Sequence, residues 1–68
     1  MIKDKATLKK WARIRFNNNH KDNKNQERLM YDIKADNGQN MARHGWQLSD
    51  DTVQSVYQEL LIELTLNP

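Results

Sequence analysis

Apolar residues recur at helical spacing most clearly towards the end of the chain, at Val53, Val56, Tyr57, Leu60, Leu61 and Leu64. At the α-helical repeat these six fall within an arc of roughly 140°, the stripe of a helix that buries one face. Ser49 stands where an N-cap is needed, with Asp50 and Asp51 in the first turn, where negative charge meets the positive end of the helix dipole. Leu48 and Val53 flank the cap at the spacing of a hydrophobic staple. Asn67-Pro68 is the expected stop, so the pattern predicts a helix over residues 50–66. Ile62 and Leu66 fall outside the stripe, roughly 180° and 220° from Val53, and make a second apolar seam. Two readings fit that seam: helix-end residues touching a neighbouring segment, or a surface for self-association.

The first half is less regular. Residues 4–16 begin with good helix formers, and Asp4 or Thr7 can cap them. Leu8, Trp11, Ala12, Ile14 and Phe16 spread over roughly 200° of a helix, with Arg15 inside the arc. Residues 11–16 also alternate as a strand would, Ala12, Ile14 and Phe16 against Trp11, Arg13 and Arg15. Helix is favoured, near residues 4–17, because pairing needs a second clear strand. Residues 17–25 are rich in asparagine, which competes with the helical backbone for hydrogen bonds, and they read as a loop.

Leu29, Met30 and Ile33 then mark one face of a second helix over residues 25–36, with Asn25 or Asp22 as its cap. Asn37-Gly38 reads as its C-terminal stop; the same pair is a hairpin signal, but the run after it is poor strand material. A short turn of helix near residues 39–44, ended by Gly45, precedes Trp46, which is expected on the core beside Leu48.

Composition narrows the options. A chain of 68 residues makes one domain, residues 1–68, and so small a domain buries a modest fraction of its surface. There is no cysteine to staple it, and the hydrophobic share of 37% is low, so tight helix packing or a partner has to complete the core. The N-terminus lacks a signal-peptide pattern and no run is long enough to span a membrane, so a cytoplasmic protein is expected.

Charge is unevenly spread. Residues 1–34 hold ten basic and four acidic side chains, a net of +6; residues 35–68 hold one basic and five acidic, a net of −4. The halves can attract one another, or the basic half can meet an external polyanion. On a helix Lys9, Lys10 and Arg13 share the side opposite Leu8, and these are the candidate nucleic-acid contacts. A helix-turn-helix over residues 27–46 is disfavoured, because Lys34 and His44 stand where small and apolar residues pack.

The remaining chemistry is sparse. His20-Lys21-Asp22 and Asp50-Asp51 match no metal-ligand spacing, and Gly38 and Gly45 form no phosphate-cradling loop. Ser49, Ser55, Thr7, Thr52 and Thr65 lack a histidine arrangement that would make a nucleophile. The pattern therefore implies no enzyme, no cofactor, no metal, no small-molecule substrate and no membrane.

Taken together, the sequence predicts an all-α domain of three helices, with room for a short fourth, built on a long amphipathic C-terminal helix. Leu8, Trp11, Leu29, Met30, Ile33 and Trp46 are expected on its stripe. The alternative fold is α+β, with strands near 11–16 and 29–35. The expected function is a small protein-interaction module that self-associates through Ile62 and Leu66, as a homo-oligomer or with another protein. The alternative is a nucleic-acid-binding accessory protein acting through Lys9, Lys10 and Arg13.

Overall fold

Leu8, Ala12 and Phe16 repeat every fourth residue, and all three are fully buried on one side of helix α1, Lys5–Asn19. The computed structural model describes residues 5–66. Helix α2 spans Gln26–Ala35 and helix α3 spans Asp50–Glu63. Among the described residues there is no strand, so residues 11–16 and 29–35 are helical. Alternation over 11–16 is overridden by the four-residue repeat that reaches the core.

Each rod supplies three residues to one hydrophobic cluster. These are Leu8, Ala12 and Phe16; Leu29, Ile33 and Met41; and Val53, Val56 and Leu60. Trp11, Met30, Trp46, Tyr57, Leu61 and Leu64 pack around it as half-buried neighbours. The centre is thus made from smaller side chains than expected, with both tryptophans at its edge. Burying Val56 and Leu60 completely contributes about 2 kcal/mol each before ordering entropy is counted.

Helix α1 runs two residues beyond the expected end. The His20 amide donates to the Phe16 carbonyl at 3.0 Å, and the His20 ring lies 5.3 Å from that of buried Phe16. This contact holds a last turn that Asn17, Asn18 and Asn19 would not hold alone. The connection is therefore residues 20–25, shorter than the asparagine-rich stretch suggests. Asn25 caps α2 as expected, its side chain accepting from the Arg28 amide at 3.0 Å.

The Asn37-Gly38 pair does not end α2. Residues Asp36–Met41 form a π-helical turn, and residues 42 and 43 return to α geometry, so one rod continues from α2 towards Gly45. The reason lies in the spacing. Leu29, Ile33, Asn37 and Met41 are four apart, and in an α-helix each such step overshoots a full turn. A turn closed by i→i+5 bonds holds more residues, so it brings Met41 back onto the buried face. The expected turn near 39–44 is thus part of this rod and not a separate helix.

The rod ends as anticipated at Gly45, which has a φ of +74°. The Trp46 amide donates to the Met41 carbonyl at 2.8 Å and the Gly45 amide to Ala42 at 3.0 Å, a Schellman turn. Ser49 caps α3 through the Thr52 amide at 3.3 Å. The same kind of turn closes α3 early: Leu66 donates to Leu61 at 3.2 Å and Thr65 to Ile62 at 3.3 Å, with Thr65 at a φ of +51°. Helix α3 therefore stops at Glu63 and not at 66. The expected cap at Asp4 and the stop at Asn67-Pro68 lie outside the described residues.

Candidate functional site

Two surfaces and one buried network follow from this packing. The first surface is the seam between α1 and α3. Lys5 and Lys9 both pair with Glu59, the second at 3.1 Å, and Lys9 and Arg13 both pair with Glu63. Lys5 also donates to Ser55 at 3.4 Å. Contacts climb both helices in the same direction, so α1 and α3 run parallel, with α2 antiparallel to both. Hydrogen bonds from Lys5 and then Lys9 hold the Glu59 carboxyl below its ordinary value of 4.5. Hydrogen bonds that Lys9 donates to Glu63 and then to Glu59 raise Lys9 above 10.5.

This ladder separates the three residues singled out for nucleic acid. Lys9 and Arg13 face α3 and its carboxylates, whereas Lys10 is exposed on the other side of α1 and has no acidic partner among the described residues. The opposed charges of the two chain halves meet, in large part, inside one molecule.

The second surface is the outer side of α3. Gln54, Gln58 and Ile62, all exposed, fall within an arc of roughly 80° on the side away from the core stripe, with Ser55 beside them turned towards Lys5. After Asp51 this strip carries no charge, because Glu59 and Glu63 are turned towards α1. Ile62 is 76% exposed at its far end. Leu66 is not beside it on a continuing helix: the turn at Thr65 folds Leu66 back, half-buried, against the core. The structure thus brings Ile62 to the surface and leaves Leu66 as a packing residue.

The buried network lies at the π-helical turn. Asp36 is 1% exposed, and its Oδ1 accepts from Arg15 Nε at 3.0 Å and from Asn40 Nδ2 at 2.5 Å. Asn37 pins the chain before α3: its Nδ2 donates to the Leu48 carbonyl at 3.1 Å and its Oδ1 accepts from the Leu48 amide at 2.8 Å. Nearby, His20 Nε2 lies 3.1 Å from Asp32 Oδ2, off the line of a good hydrogen bond. Sequence reasoning passed over Arg15, Asp36, Asn37 and Asn40. A signal existed: Asp32, Asp36 and Asn37 sit in phase with Leu29 and Ile33, where polar residues are costly unless paired.

Above Asp36, α1 and the π-helical turn leave an open cleft of about 460 Å³. Trp11, Ile14, Arg15 and His44 line it with Asp36 and Asn40. The Trp11 and His44 ring centroids are 6.2 Å apart, and Trp46 stacks on His44 at 4.5 Å from behind. Among the described residues no group of histidines and carboxylates has a metal-binding arrangement, and no helix is long and apolar enough to cross a membrane. Set against known protein families, curated proteins and solved structures, the chain matches none.

Proposed function

We propose that this chain is a small protein-interaction module that pairs with a second copy of itself through the outer side of α3. The observation that carries the reading is the uncharged, exposed strip Gln54–Gln58–Ile62 on a surface otherwise dense in charge. Solvated helix faces are ordinarily charged, and interface centres are depleted in charge. A twofold pairing sets the same strip against itself, so an uncharged strip meets no repulsion there. Glutamine amides can bond one another across such a contact, and the Ile62 of each copy supplies an apolar side chain at one end of it.

The test is mass in solution by sedimentation equilibrium, for the wild type and for Ile62→Glu. The wild type is expected to dimerise in the micromolar range. Burying two isoleucines contributes about 3 kcal/mol or more, so Ile62→Glu is expected to weaken association about a hundredfold or more. A wild type that stays monomeric at several hundred micromolar overturns the reading.

The alternative, a nucleic-acid-binding accessory protein, loses support from the α1–α3 ladder. Lys9 and Arg13 would have to leave Glu59 and Glu63 to reach phosphate, and Lys10 alone gives little salt-dependent affinity. No binding to duplex or single-stranded DNA is expected at physiological salt, as measured by fluorescence anisotropy.

A further inference from the structure

We propose that the cleft between α1 and the π-helical turn binds a small molecule that joins an aromatic ring to a tethered oxyanion, a carboxylate or a phosphate. The donor at its base is Arg15. Its Nε is taken by Asp36, while its Nη groups have no acceptor among the described residues, and its side chain is 32% exposed. A guanidinium held at Nε by a buried carboxylate is fixed in orientation and still offers the paired N–H groups that match a carboxylate or phosphate. Asp36 is 1% exposed and its Oδ1 already accepts from both Arg15 and Asn40, while its buried Oδ2 has no partner among the described residues, so the ligand's oxyanion is placed on the Nη side of Arg15 and away from that carboxylate. No other acidic side chain lines the cleft.

The rest of the lining suits a ring. Trp11 and His44 form an aromatic wall, and Trp46, 6.3 Å from Trp11 and stacked on His44, braces both. Ile14, 50% exposed, adds an apolar edge. Asn18 and Asn19 at the rim offer amides to polar atoms on the ring. The volume of about 460 Å³ lies in the range of small-ligand sites, about 300–1,000 Å³. The π-helical turn that brings Asp36 and Asn40 to this place is a feature that recurs at functional sites. A nucleoside monophosphate and an aromatic carboxylic acid share the required chemistry.

The test is an NMR shift titration of the full chain with adenosine 5′-monophosphate and, separately, with indole-3-acetate. Adenosine, indole and inorganic phosphate serve as controls that lack one half of the ligand. At least one of the two anions is expected to bind below millimolar concentration, about tenfold tighter than its controls, with shifts centred on Trp11, Ile14, Asn40 and His44. Binding of the phosphate alone identifies a nucleotide as the source, and binding of the carboxylate alone identifies an aromatic acid. Arg15→Lys keeps the charge but removes the paired donors, and should weaken binding about tenfold. Arg15 also pairs with buried Asp36, so exposed Asn18→Asp provides a second variant that leaves the core alone and should weaken binding comparably. The proposal is overturned if neither anion shifts the cleft resonances, if inorganic phosphate binds as tightly as the best ligand, or if Asn18→Asp binds unchanged.

Discussion

At the scale of single residues, Asn37 shows how a side chain that looks like a turn former can instead fasten two segments. Its amide satisfies both the N–H and the C=O of Leu48, two backbone groups that would otherwise lack partners where the chain enters α3. Asn37→Ala should therefore cost about 1–3 kcal/mol, the desolvation cost of the groups left behind, measured by urea unfolding. Gly38, its neighbour, has open space around it and no special backbone geometry, so Gly38→Ala should be neutral or mildly stabilising in the same assay. An Asn37-Gly38 pair acting as a helix stop would predict the reverse order of effects.

At the scale of elements, helix ends were legible where side-chain chemistry sets them and illegible where tertiary contact does. Ser49 and Asn25 cap as their hydroxyl and amide chemistry dictates, and Gly45 ends its rod because only glycine takes a left-handed turn without strain. The extra turn of α1 depends on His20 meeting Phe16, and no local pattern announces that His20 turns onto that buried ring. The π-helical turn was equally hidden, since its cause is the phase of Met41 relative to Leu29. Thr65 closes α3 in the conformation that Gly45 adopts, but with a β-branched side chain. Thr65→Gly should stabilise the fold by about 1 kcal/mol and Gly45→Ala should destabilise it by a similar amount, both read from thermal and urea unfolding.

At the scale of the whole molecule, the all-α class followed from helical periodicity together with the want of a second clear strand. The charge asymmetry was equally visible, but which groups it would join was not, because pairing depends on α1 and α3 lying side by side. That pairing has a pH signature. The pKa of Glu59 is lower in the folded chain than its ordinary 4.5, so its contribution is present above that value and is lost as pH falls through the folded value. The pKa of Lys9 is higher than 10.5, so its contribution holds below that value and is lost as pH rises through the folded one. Stability is expected to be level across neutral pH and to fall at both extremes. Glu59→Gln should flatten the acid limb in urea titrations; an unchanged limb would mean that the ladder does not contribute.

The stepped pairing of Lys5, Lys9 and Arg13 with Glu59 and Glu63 also acts as a vernier. Valine and leucine stripes are nearly translation-invariant: α3 could slip along α1 by one helical turn and still find greasy surface. Such a slip would strand a cation at one end and leave the carboxylate at the other with one partner instead of two. The five charges thus distinguish one alignment from its sliding neighbours, and weakening them should give a population of shifted bundles before it gives an unfolded chain.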